Sequence, residues 1–332
     1  MRFYVRRITF YVITLWAAVS LNFLLPKLMP GDPKQIFIDK FVRKGGELTP
    51  AMQNSIDLLF GGDDDATLWD QYLSYWGKIL QGDLGISITY YPKPVVELIG
   101  AALPWTLGLV GLATIISFIL GIVGGAWVGW KRGTWVDHVI PASTLLQALP
   151  YFWLALILVS VFSVSLGWFP IIGAYDIFSF DNGPEWSWEF VGSVVYHGTL
   201  PALTIIISAV GGWLLGMRNM MVSTLSEDYV TTAEAKGLRP MRVATTYATR
   251  NAVLPSIAGF GVTLGFVVAG SVVMEQVFSY PGLGKLLLTS VQSNDFALMQ
   301  GTFLVITVSV LAANFLMELI YGFIDPRTRN NG

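Results

Sequence analysis

Apolar residues in this chain gather into long runs, without the alternation that marks a water-facing helix or strand. About 20 apolar residues carry a helix across a hydrocarbon core, where each unsatisfied peptide group costs several kcal/mol. Six segments reach that length: residues 8–28 (with Pro26 and Lys27 at the fraying end), 103–130, 139–162, 199–217, 254–274 and 301–324. No charged residue occurs between Leu98 and Trp130, or from Val139 to Tyr175. The pattern predicts an all-α integral membrane protein of six transmembrane helices.

The polar residues between these runs set an expected orientation, because short cytoplasmic flanks collect Lys and Arg. Arg2, Arg6 and Arg7 precede the first run, Lys131 and Arg132 follow the second, and Arg327 and Arg329 follow the last. Arg218, Lys236, Arg239, Arg242 and Arg250 lie between the fourth and fifth runs. The stretch 167–197 has no Lys or Arg but carries Asp176, Asp181, Glu185 and Glu189. Both termini are therefore expected in the cytoplasm, with 31–102 and 167–197 outside. Tryptophans 105, 127, 130, 135, 168, 186 and 188 fall near the ends of the runs, where interfacial anchors belong. The first run is longer than the apolar part of a signal peptide and lacks an A-x-A cleavage pattern, so it reads as a retained anchor.

Composition narrows the chemistry. The 332 residues are 54% hydrophobic and 13% charged, against about 25% charged in soluble domains. Cysteine is absent, which removes disulfides, thiolate catalysis and zinc–thiolate sites. Only His138 and His197 are available as imidazole ligands, and a net charge of −2 offers no basic surplus for nucleic acid. Asp63, Asp64 and Asp65 are consecutive, but a calcium loop needs alternating ligands and a closing glutamate, so they read as a solvated turn. The apolar positions in 74–80 predict a short helix at the membrane surface. Gly282-Leu283-Gly284-Lys285 lacks both the leading glycine and the Ser/Thr of a phosphate loop. Glu275 and Glu318 are the charges closest to the membrane core, where a carboxylate suggests function; both lie near run ends, which favours interfacial positions, and their roles stay open. His197 and His138 read as interfacial and structural side chains. Glycines crowd the second run (108, 111, 121, 124, 125) and the fifth (259, 261, 265, 270), for close helix packing or for a solute path.

The most informative stretch is the polar loop after the fourth run. Ser226 is a good N-cap, and Glu227 and Asp228 suit the positive end of a helix dipole. Lys236 sits in a last turn, Gly237 supplies a left-handed cap, and Pro240 prevents continuation. A short, self-terminated helix over 227–236 follows, with Thr231, Thr232, Ala233 and Ala235 small enough to enter a cleft on another protein.

This stretch resembles the EAA loop of ABC-importer permeases in its peptide/nickel form: Tyr229-Val230-x-Thr232-Ala233-x-Ala235-Lys236-Gly237-Leu238, then Arg250-Asn251-Ala252-x-Leu254-Pro255. Thr231 stands where the wider family's glutamate would fall, and the spacing from Gly237 to Pro255 exceeds that of sugar or amino-acid permeases. Both departures are similar to peptide-type permeases. Pro30-Gly31-Asp32-Pro33, Gly82-Asp83-Leu84-Gly85-x-Ser87, Leu103-Pro104-x-Thr106-Leu107, Gly167-Trp168-Phe169-Pro170, Phe278 to Leu286 and Asn294-Asp295-Phe296 extend the resemblance along the chain.

The resemblance implies a type I ABC-importer permease fold, with an N-terminal flank and first helix (1–30), an extracytoplasmic segment (31–102) and a permease core (103–332) holding a coupling loop at 218–253. It implies that Glu227, Tyr229, Thr232, Ala233, Glu234, Ala235, Lys236, Gly237 and Leu238 contact an ATPase. The implied partners are a second, homologous permease subunit, two cytoplasmic ATPase subunits, an extracytoplasmic solute-binding protein and membrane lipid. ATP and Mg would belong to the ATPases, leaving no cofactor, metal or catalytic residue here. The implied location is the cytoplasmic (inner) membrane of a bacterium or archaeon. Oligopeptides are the expected solute, with oligosaccharides the alternative. A stand-alone channel or a membrane enzyme is the competing class; the spans offer no protease nucleophile or paired aspartates, and a channel needs no docking helix.

Overall fold

A computed structural model describes residues 2–28, 33–43, 67–138, 145, 148–181, 183–267 and 272–324. Among these, regular structure is helical apart from one isolated antiparallel bridge, Ile86 to Pro94. In chain order the helices are α1 (Arg2–Leu28), α2 (Pro33–Arg43), α3 (Leu68–Leu80), α4 (Val95–Trp130), α5 (Tyr151–Ser165) and α6 (Trp188–Leu225). Then come α7 (Asp228–Ala235), α8 (Pro240–Ala252), α9 (Leu254–Val267), α10 (Val272–Val277), α11 (Leu283–Gln292) and α12 (Phe296–Ile324).

Four described helices are long and apolar enough to cross a membrane: α1, α4, α6 and α12. A fifth crossing results if α8 and α9, bent by 47° at their junction, count as one broken span. The third expected run, 139–162, falls partly outside the described residues. Most of its described part belongs to α5, which is short for a crossing by itself. Two helices outgrow their expected ends by eight residues or more. α4 starts at Val95, eight residues before Leu103, and α6 runs 38 residues from a Ser187 cap whose hydroxyl accepts the Phe190 amide. At 1.5 Å per residue α6 is about 57 Å long, well beyond the roughly 30 Å hydrocarbon core. Hydropathy marks only the lipid-depth part of such a helix; Glu189, His197 and Arg218 continue it into polar surroundings.

Contacts divide the chain into two compact units. One comprises Met1–Pro104 with Lys285–Leu311. In it, Asn22 of α1 donates to the Tyr75 hydroxyl at 3.1 Å and to the Gln300 carbonyl at 2.8 Å. Buried Asp295 caps α12 by accepting the Leu298 amide, and accepts the Ser87 hydroxyl at 2.5 Å and the Thr89 amide at 2.8 Å. Two motifs, Gly82–Ser87 and Asn294–Phe296, thus close on one carboxylate.

The other unit comprises Trp105–Gly284 with Ala312–Gly332. Its core is the α4–α6 pair. Gly121, Gly125 and Gly129 recur every four residues and lie directly against α6. A Cβ at Gly125 would sit 2.8 Å from the Met217 Cβ, and one at Gly129 would sit 2.6 Å from the Met221 Cβ. In lipid, where apolar burial drives little association, such backbone proximity supplies the packing attraction. Phe118 stacks on Phe260 at 4.1 Å and meets the edge of Trp213 at 5.1 Å, fastening α9 to the same pair.

Candidate functional site

α7 begins one residue later than the sequence implied. Ser226 completes α6, its hydroxyl donating to the Ser223 carbonyl at 2.7 Å. Glu227, with extended backbone, is the N-cap and makes no side-chain cap bond. The reason is geometric: α6 continues as far as Leu225, and the Ser223 carbonyl of its last turn holds the Ser226 hydroxyl. Asp228, in the first turn, supplies the negative charge that the dipole favours.

The far end forms as expected. Gly237 adopts φ +70°. Its amide donates to Glu234 at 2.8 Å, and the Leu238 amide reaches Ala233 at 3.4 Å, the paired bonds of a Schellman cap. Pro240 stops one helix and starts the next, at the first turn of α8, where its missing amide hydrogen is harmless.

The two faces of α7 differ. Val230 and Ala233, one turn apart, are 1% and 3% exposed and pack with Val243. Trp130, Leu225, Leu238 and Tyr247 close around them. Of the anticipated contact residues, Ala233 therefore faces inward and Leu238 is half-buried. Glu227, Tyr229, Thr232, Glu234, Ala235, Lys236 and Gly237 face outward. The Tyr229 hydroxyl accepts the Asn251 amide at 3.0 Å, and Asn251 also donates to the Tyr247 carbonyl.

Trp130 and Leu225 also pack on a second cluster, Met217, Met221, Ala248 and Ala252. One tryptophan at the end of α4 therefore packs against both clusters, the one that includes the buried face of α7 and the one at the α6–α8 junction. Sequence reading missed Trp130, Val243 and Tyr247 as parts of this site. The i, i+3 spacing of Val230 and Ala233 was the available local signal; nothing local pointed to Trp130.

Glu275, expected near the interface, has its side chain fully buried within the protein. Thr106, also fully buried, donates its hydroxyl to Glu275 Oε1 at 2.8 Å and accepts the Leu283 amide at 2.8 Å. Gly282 lies against the same carboxylate, leaving no room for a Cβ, and a Cβ at Gly284 would meet the Val272 Cα at 2.7 Å. The Gly282–Lys285 turn thus covers a buried acid, and its Leu283 amide already has a partner. Burial, and secondarily the charge of Glu275, pushes the Tyr280 phenol up to about 12.

His197, half-buried, places Nδ1 2.8 Å from the Ser193 carbonyl. Asp176 nearby is held below the usual carboxylate range, chiefly by the Ser179 hydroxyl. The Asp63–Asp65 run and the Glu318 side chain lie outside the described residues. Among the described residues, no three His, Asp or Glu side chains gather as metal ligands do.

An exposed short helix on a cushion shared with two long helices can receive a push from outside and pass it into the bundle. Comparison with known proteins gives the family. Residues 121–330 match the family model described as binding-protein-dependent transport system inner membrane component. The di/tripeptide transport system permease protein of Pseudomonas aeruginosa is 33% identical, over 99% of this chain and 98% of its own length. The oligopeptide transport system permease protein of Bacillus subtilis is 32% identical, over 97% and 98%. The dipeptide transport system permease protein of Escherichia coli is 31% identical, over 99% of each. The chain belongs to the family of binding-protein-dependent transport system inner membrane components, the permeases of ABC importers.

Proposed function

We propose that this chain lines half of the pathway of an ATP-driven importer of di- and oligopeptides, and that α7 is the surface an ATPase grips. The observation that carries the coupling role is the two-faced α7: Val230 and Ala233 buried on the bundle, seven polar or small neighbours left outward. An ATPase that closes on ATP would displace α7, and the Trp130 contact would pass that displacement to α4 and α6. The chain itself forms no covalent bond with solute; it is a transport component and not an enzyme.

The relatives above are named for di-, tri- and oligopeptides, which favours peptides over the oligosaccharides weighed from the sequence. Six crossings, both termini in the cytoplasm, an outer segment at 31–102 and a coupling loop at 218–253 complete the reading. A second permease subunit, two ATPases and a solute-binding protein complete the machine.

The test is uptake. Cells expressing the chain with its partner subunits should accumulate a labelled dipeptide or tetrapeptide, and cells lacking only this chain should not. Accumulation of a labelled oligosaccharide with no peptide uptake would overturn the substrate assignment. Failure of the chain to purify with any ATPase subunit would overturn the coupling role.

A further inference from the structure

α3 (Leu68–Leu80) has 13 residues, about 20 Å, which is too short to cross a bilayer. Its side chains sort into three stripes. Tyr72 and Tyr75 face α1: the Tyr72 hydroxyl is 2.6 Å from that of Ser20, Tyr75 accepts from Asn22, and the Phe23 ring lies 5.4 and 5.5 Å from the two phenol rings. Asp70, Ser74 and Lys78, four residues apart, form an exposed polar stripe. Trp69, Leu73, Trp76 and Leu80 recur at four, three and four residues and form an apolar one. Trp69 is 64% exposed, Leu73 51% and Leu80 81%. A helix in water would not hold such a stripe open, so something covers it.

The depth at which α3 meets α1 names the cover. Arg7 marks the charged end of the α1 crossing. From Arg7 to Ser20 is 13 residues and to Phe23 is 16, a rise of about 20 to 24 Å. In a hydrocarbon core about 30 Å thick, α3 therefore meets α1 roughly 6–10 Å short of the far boundary. Amphipathic interfacial helices bury their apolar face about 5–10 Å deep. Exposed apolar side chains of α1, Trp16 and Leu21 among them, lie at the same level or below. Tryptophan is itself an interfacial residue.

We propose that α3 lies in the outer leaflet as an interfacial helix, with Trp69, Leu73, Trp76 and Leu80 seated among acyl chains and Asp70, Ser74 and Lys78 towards water. It clamps the outer half of α1 through Ser20, Asn22 and Phe23. The proposal rests on α1 crossing with Arg7 at the inner face.

The absence of cysteine makes the test direct. The assembled transporter, its partner subunits made cysteine-free, is reconstituted in lipid nanodiscs with single spin labels at Leu73→Cys, Leu80→Cys, Ser74→Cys and Asp70→Cys. Labels at 73 and 80 should collide preferentially with lipid-dissolved oxygen, and those at 74 and 70 with a water-soluble nickel chelate. Equal nickel access at 73 and 74 would put α3 in water and overturn the proposal. Protection of 73 and 80 from both quenchers would mean that protein covers the stripe, overturning it as well. A label at Val12→Cys separates the two readings. If it is open to nickel, the α1 crossing itself fails; if it favours oxygen while 73 does not, only the interfacial placement fails.

Discussion

Valine at Gly237 places a β-branched side chain on a residue whose φ is +70°. No atom lies within 4 Å of the Cβ it would add, so the site has room and the penalty is purely conformational. For an L-residue the left-handed region costs about 1–2 kcal/mol. That is a factor of about 5–30 in the population of the native cap. If the cap reorganises instead, the Gly237–Glu234 and Leu238–Ala233 bonds are lost, each with a net worth of about 0.5–1.5 kcal/mol. Leu238 then leaves the Val230–Ala233–Val243 cluster, and the outer face of α7 tilts. Both hydrogen bonds lie outside every crossing, so insertion does not depend on them. The Gly237→Val chain should therefore reach the membrane at near-normal levels but lose peptide uptake and stimulation of ATPase activity by the loaded binding protein. Asparagine tolerates the left-handed region, so Gly237→Asn should retain most of both activities. Normal uptake and stimulation with Gly237→Val would show that the cap does not set the ATPase contact.

Three further outcomes test the packing and topology. Gly125→Leu should destabilise the purified chain by at least the roughly 1–3 kcal/mol typical of overpacking, because its Cβ would lie 2.8 Å from that of Met217. Gly108→Ala, with nothing within 4 Å, is the matched control, and equal thermal midpoints would refute the close α4–α6 contact. Glu275→Ala removes the acceptor of the buried Thr106 hydroxyl and should lower stability by about 1–3 kcal/mol. Glu275→Gln keeps an acceptor and should recover most of it, with ATPase binding unchanged in both; identical losses would mean that the hydrogen bond is not what matters. Finally, an Asp83→Cys label should react with an impermeant maleimide added to the outside of intact cells, and reaction only after permeabilisation would invert the topology.

What the chain's own order determined is local or solvent-dictated. Long uncharged runs have nowhere to go but lipid, so the membrane class was legible. Gly237 and Pro240 act on their own dihedral angles, so the end of α7 was legible too. The start of α7 was misjudged by one residue, because α6 runs on to Leu225 and its last turn takes the Ser226 hydroxyl, leaving Glu227 as the cap. The burial of Glu275 was not legible, because its partner, Thr106, is 169 residues away in sequence. Ser87 and Asp295 are 208 apart, and each reads locally as an ordinary loop residue. The glycines of the second run left close packing and a solute path both open, and did not name α6 as the neighbour. Only the tertiary structure turned Val230 and Ala233 inward and set Trp130 beneath them. A buried face is a relation between elements, and periodicity within one element specifies its stripe but not the surface that covers it.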